Sequence, residues 1–327
     1  MTDPTPDHAS AGDHVTVGDH ATVRNAATAG DHASARNAAT DTDPSIAADR
    51  PTIGAGHRRR ARGWVPDQHG AWAMLSLPPA VGIWLAGPVP AHLALVAFWF
   101  VGYLAYHAAT RWLRTRHRSR EFTPLVVYGS LALTLGAVTA LAAPHLLRWS
   151  LVYAPLLAVS LTLTARGRER SLTNDLVTVV AAGLMTPVAF ATAVGATGVG
   201  ATGVGARAGW SGVVVATAVL TAYLAGTVFY VKTMIRERGR TGYLVASVGY
   251  HLAGVLAIAV LVATDWQSVW SAAVWCLLAL RAYALPAINA HRDRPLRPAV
   301  VGVGEIVASL AVTSSLLAGL PPVAVGG

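Results

Sequence analysis

The sequence has one cysteine and one lysine, and each scarcity excludes something. Cys276 alone forms no intrachain disulfide, and it rules out a metal site built on paired cysteines. Lys232 stands against twenty-four arginines. Where coding favours Arg this strongly, a Lys suggests a compact donor or titrating amine; the plain alternative is a basic anchor at a helix end. Charge of any kind is scarce, at 13% of residues, against about a quarter in soluble domains. Half of the sixteen acids precede residue 50, and no Asp, Glu, Lys or Arg occurs from Gly70 to Thr110. The first 45 residues are polar, so no secretory leader is visible. Also missing are the Gly-x-x-x-x-Gly-Lys-Ser/Thr phosphate loop, His-Glu-x-x-His and Gly-x-Ser-x-Gly. Nucleotide-driven machines and hydrolases of those types are therefore unsupported.

What is present is apolar: 54% of residues are hydrophobic, mostly in long runs. They begin after a different kind of segment. A repeat, Gly-Asp-His-Ala-Thr-Val-Arg-Asn-Ala-Ala-Thr from Gly18, returns with two changes from Gly30. Large apolar residues are almost absent there, and such a segment buries too little surface to offset its ordering entropy. Residues 1–63 are expected to be a disordered low-complexity cytosolic tail, and 64–327 a transmembrane helical domain.

A span needs about 20 apolar residues. Nine candidates are expected, at 70–86, 91–110, 124–143, 147–164, 175–195, 209–231, 242–264, 267–286 and 299–320. Gly87-Pro88-Val89-Pro90 breaks the first from the second. A glycine-rich repeat at 195–205 reads as a loop after the fifth. The fold class is thus all-α, a polytopic bundle. With the N-terminus inside, twenty basic residues fall in inner segments, Arg281 counted among them, and only Arg148 and Arg207 in outer loops. That bias puts the N-terminus in the cytosol and, with nine spans, the C-terminus outside. The net charge of +9 lies between apolar runs, at headgroup depth, which argues for membrane lipid and against nucleic acid as partner.

The polar residues cluster toward the inner ends. His69 precedes the first span, and Asn174 and Asp175 open the fifth. Tyr230, Lys232 and Arg236 close the sixth, and Glu305 lies just inside the ninth. Tyr103, His107, Arg111 and Arg114 share one face of the second span. Tyr243, Ser247, Tyr250 and His251 share one face of the seventh. Polar groups in lipid need partners, so these faces are expected to point inward, either to a ligand or to other helices. Glu305 is a functional candidate by depth, with a structural ion pair as the alternative. For Asp175 the alternative is helix capping. The outer half reads as dry, which counts against an ion pathway.

Pro66-Asp67-Gln68-His69-Gly70-Ala71-Trp72 resembles the opening of the YwiC-like family, Pro-x-Glu-His-Gly-Ala-Trp, with Gln68 where that pattern has Glu. Further matching stretches are Thr173-Asn174-Asp175, Tyr230-Val231-Lys232-Thr233-Met234-Ile235-Arg236-Glu237-Arg238, and Ser247-x-x-Tyr250-His251. The layout also resembles UbiA-type prenyltransferases, which implies nine helices and a lateral pocket. The acid-rich motifs of those enzymes are missing, so Mg²⁺-diphosphate chemistry does not transfer.

The functional expectation is a cytosol-facing pocket for an anionic amphipathic ligand, an isoprenoid or a phospholipid headgroup. The residues around it would be His69, His107, Arg111, Asn174, Asp175, Lys232, Arg236, Tyr250, His251 and Glu305. If the protein is an enzyme, lipid-directed transfer is the first class to test. Small-anion transport and a non-catalytic subunit role are the alternatives. No metal, cofactor or protein partner is assigned.

Overall fold

The computed structural model describes Trp64 and residues 69–115, 117, 119–197, 206–292 and 296–321. The chain divides into two units, 1–51 and 52–327, and every described residue belongs to the second. The expected tail, Asp67, Gln68 and most of the glycine-rich repeat lie outside the described residues.

Ten α-helices follow one another, with no strand among the described residues. They are α1 (His69–Ala86), α2 (Ala91–Arg114), α3 (Ser119–Ala142), α4 (Ser150–Ala165), α5 (Leu172–Gly183), α6 (Met185–Thr197), α7 (Trp210–Val231), α8 (Thr241–Ala263), α9 (Val269–Ala290) and α10 (Pro298–Gly319). A 3₁₀ turn, Pro144–Trp149, leads into α4, and a π-helical turn, Lys232–Arg236, ends α7. Joining each turn and half-helix to its neighbour, eight helices are long and apolar enough to cross a membrane. The first apolar run is shorter, Trp72–Ala86. All nine expected runs are helical.

The fifth run is broken, where one unbroken span was expected. Pro187 has no N–H, so the Gly183 carbonyl loses its helical partner and the helix restarts at Met185. Gly183 is also the residue that fits: a Cβ there would strike the Thr221 hydroxyl. Tyr153 donates from its hydroxyl to the Ala181 carbonyl at 2.9 Å. Beyond the break, His92 and His145 hydrogen-bond through Nε2 to the carbonyls of Ala189 and Ala191, at 2.8 and 2.9 Å. The Val89 N–H donates to His92 Nδ1, so His92 Nε2 is the protonated nitrogen and donates to Ala189.

The broken pair α5–α6 and helix α7 are the most enclosed elements. Around them lie Val81, Leu85, Phe190, Val213, Leu220, Ile258, Val312 and Leu316, all buried in one core. Helices α1 and α6 approach closely because Gly82 faces Thr186 and Ala189 with no room for a side chain. Helices α2 with α3, and α8 with α9, form the two flanking hairpins. Their outward faces are aliphatic: Leu133 is 78% exposed and Leu141 83%. Leu151, Leu256 and Leu310 on α4, α8 and α10 continue that surface. Side chains this exposed suit contact with lipid rather than water.

One end of the bundle gathers the arginine-rich connections between α2 and α3, α4 and α5, α7 and α8, and α9 and α10. At the other end Arg207 caps α1. Its backbone N–H reaches the Leu85 carbonyl at 2.7 Å, and its Nη1 the Trp84 carbonyl at 2.6 Å.

Candidate functional site

The structure brings some of the expected pocket residues to two separate charge centres and leaves others, Arg111 and Arg236 among them, outside both. The first sits at the arginine-rich end, where α5 begins. Ser171 caps α5 by accepting the Asn174 N–H, which leaves Asp175 free to act elsewhere in the first turn. Asp175 therefore is not the cap. It pairs with Lys232, with Nζ to Oδ2 at 2.8 Å. Lys232 Nζ also donates to the Arg170 carbonyl at 3.0 Å. The π turn helps place this lysine. Its widened ring closes with the Glu237 N–H on the Lys232 carbonyl, and Lys232, Thr233 and Met234 are all buried. Arg236, at the end of that turn, is exposed.

Asn174 extends the centre inward. Its Oδ1 accepts from the Ser160 hydroxyl at 2.7 Å, and its Nδ2 donates to the Glu169 carbonyl at 2.8 Å. Ser160 meets the Tyr106 hydroxyl at 2.7 Å. Three helices and a connection are thus tied by one chain of hydrogen bonds. Arg114 joins it by pairing with Glu169 at 2.9 Å. Arg111 is held apart: its Nε and Nη2 grip both oxygens of Glu121, at 3.1 and 3.2 Å. The face of α2 that carries it therefore addresses α3 and the α4–α5 connection. His107 is half-buried on that face, and the side chain of His69 lies outside the described residues.

The second centre lies deeper, between α7, α8, α9 and α10. Glu305 Oε1 pairs with Arg281 Nη1 at 2.5 Å, and Oε2 accepts from the Thr227 hydroxyl at 2.9 Å. Tyr223 bridges to Ser309 at 2.9 Å. The Arg281 guanidinium lies 4.1 Å from the centre of the Tyr230 ring. This corrects the placing of Arg281 in an inner connection. It is inside α9, nine residues from the helix end at Ala290, or about 13 Å at 1.5 Å per residue. His251 is buried, with Nδ1 on the Ser247 carbonyl at 2.7 Å, and its ring packs against Gly226. Tyr250 stacks on Phe229 and donates to the Ala222 carbonyl at 3.0 Å.

The other half of the bundle is not dry. Gln267 and Ser271 are buried, and Ser271 donates to Gln267 at 2.7 Å. Gln267 donates in turn to the Leu316 carbonyl, at 3.4 Å. Sequence reading passed over Ser160, Tyr106 and Thr227, and noted Asn289 only as a polar residue after the eighth span. Asn289 is buried and accepts the Leu296 N–H at 2.8 Å. Among the described residues, no three or more His, Cys, Asp or Glu gather as metal ligands would.

An apolar groove of about 310 Å³ runs along α4 and α5, lined by Leu156, Leu172, Thr173, Leu176, Val177 and Val180. It meets the first centre at Thr173, the residue before Asn174.

An aliphatic outer surface around paired interior charges defines a multi-pass helical membrane protein. The chain belongs to the YwiC-like family, whose model, described as YwiC-like protein, matches residues 65–190. YwiC of Bacillus subtilis is 29% identical over 244 residues, covering 74% of this chain and 92% of the relative. A protein of Haemophilus influenzae is 30% identical over 194 residues, covering 58% of this chain and 74% of its own length. The names of both assign no activity. No solved structure matches, so the layout likeness to UbiA-type prenyltransferases gains no support.

Proposed function

We propose that the protein binds an anionic amphipathic lipid, an isoprenoid or a phospholipid, with its tail in the α4–α5 groove and its headgroup at the arginine-rich end. The carrying observation is continuity: the groove lining begins at Leu172 and Thr173, directly after the connection holding Arg166, Arg168 and Arg170. All three arginines are exposed. Although Arg170 lies 3.7 Å from Glu169, Arg166 and Arg168 are more available to an oxyanion than Arg111 and Lys232, whose side chains are held in close pairs. The Asp175–Lys232 centre and the Asn174 chain fix the start of α5, and so the position of the groove. The bias of basic residues supports a cytosolic arginine-rich end in a bacterial cytoplasmic membrane. Lipid-directed transfer is the reaction class this placement favours. Small-anion transport is the second reading, favoured by the buried Gln267 and Ser271 in the far half.

Native mass spectrometry of the gently extracted protein tests the first reading. A retained anionic lipid is expected for the wild type. It should be lost both when Arg166, Arg168 and Arg170 become Gln and when Val177→Trp fills the groove. Equal lipid retention by all three proteins, or no anionic lipid on any, would overturn it. Equilibration of a small-anion gradient in proteoliposomes would favour the transport reading.

A further inference from the structure

The groove between α4 and α5 has fixed ends. Two hydrogen bonds pin the helices together: Ser160 donates to Asn174 Oδ1 at 2.7 Å, and Tyr153 donates to the Ala181 carbonyl at 2.9 Å. The bonded residues are seven apart on each helix and run in opposite order, as in an antiparallel pair. The helices cannot part between them without breaking a bond. Leu156, the α4 residue of the lining, lies between the two pins.

Tyr153 also closes the far end. Its hydroxyl reaches Ala181, the residue after Val180, where the lining stops. The side chain therefore crosses from α4 to α5 at that level. Trp99 backs it, with ring centres 6.2 Å apart, and both pack on the buried cluster of Met185 and Val188. Just beyond, the wall itself ends, because α5 stops at Gly183.

Length and volume agree on what fits. From Leu172 to Val180 is eight residues, about 12 Å at 1.5 Å per residue. An extended carbon chain advances about 1.25 Å per carbon, from bonds of about 1.52 Å meeting at about 111°, so that length holds about ten carbons. The volume of about 310 Å³ holds about ten groups of water size, at about 30 Å³ each, and a methylene is of that size. One chain fills the groove, and two side by side over the same length would need about twice the volume. Lipid tails outside are as apolar as the lining, so fit rather than hydrophobicity discriminates. A shorter chain leaves lining atoms without contacts, and a longer one gains none once it meets Tyr153.

Given the lipid binding proposed for this groove, we infer that it grips a single hydrocarbon chain over about its first ten carbons, with Tyr153 as the stop that sets this length. A longer tail turns out into the bilayer at Tyr153. Straight and isoprenoid chains share this chemistry.

The test uses the full chain in nanodiscs and native mass spectrometry, with hexyl, octyl, decyl, dodecyl and hexadecyl phosphate compared at equal membrane concentration. Retention should rise several-fold from hexyl to decyl phosphate and then level off. Tyr153→Ala removes the stop and should carry the rise on to dodecyl phosphate. Val180→Trp fills the last turn of the groove and should end the rise short of decyl phosphate. Val180 is exposed, so this variant serves if the first folds poorly. Geranyl against octyl phosphate, equal in main-chain length, separates the kinds of tail: the one held more tightly matches the ligand. Retention that keeps rising to hexadecyl phosphate in the wild type, or a plateau that neither variant moves, would overturn the stop and leave the lipid reading standing. No retention of any alkyl phosphate would sink both.

Discussion

Two ion pairs hang close together on the same helix, yet their surroundings differ. Thr227 and Tyr230 of α7 face the Arg281–Glu305 pair, and Lys232, about a turn further on, holds Asp175. The deep pair is 15% and 8% exposed at its side chains. In the rim pair Lys232 is 7% exposed but Asp175 is 27%. Asp175 also sits in the first turn of a helix, where free amides favour negative charge. Glu305 lies seven residues inside α10 and has no such help. Depth, more than residue type, decides what each pair does. The deep one clamps three helices, α7, α9 and α10, and tolerates no lone charge. The rim one sets where a helix begins.

The sharpest way to break that contrast is Glu305→Gln. It should strand Arg281 and destabilise the fold by roughly 3–5 kcal/mol, the usual consequence of removing one partner of a buried pair. Thermal unfolding in detergent reads this directly, and a loss below about 1 kcal/mol would mean that water reaches the site. A smaller effect is expected from Lys232→Met, which leaves Asp175 a route to solvent: about 1–3 kcal/mol, with proteolysis increasing at the α4–α5 connection. Gly82→Ala sharpens the comparison from outside both centres. Its Cβ would meet Ala189 Cβ at 2.8 Å and press on the Thr186 carbonyl, so α1 must shift, at about 1–3 kcal/mol. Smallest should be Arg240→Ala. Its 2.6 Å pair with Glu237 is exposed, and changes of that kind are worth about 0.2–1 kcal/mol.

The helices were legible because lipid imposes a simple rule on sequence: long apolar runs, punctuated by charge. Gly87 to Pro90 marks a real break, and all nine runs appear as helices. The division of α5 from α6 was missed although its cause, Pro187, is plain in the sequence. A proline in an apolar run does not say whether the helix bends or restarts. For that one needs its neighbours, here Thr221 against Gly183. In the sites, Glu305 stood out as an acid in an apolar run. Arg281 carried the same signal and was hidden by being counted with the loops. Ser160 and Asn174 could not be joined by reading, because a hydrogen bond between helices depends on rotation about each axis. The dry far half was misjudged for a related reason. Gln267 and Ser271 look like ordinary helix-start residues until α10 covers them.

The burial of Lys232 gives the molecule a built-in reporter. Apart from the α-amino group, this side chain carries the chain's one primary amine, and it is 7% exposed. Amine-reactive dyes should therefore leave this side chain almost unlabelled in the folded protein. A protease cutting only after lysine would have one internal site, inside the π turn, and would yield two pieces only when that turn opens. The rate of that single cut would time the local opening of the α7 end, with no label introduced and no residue changed.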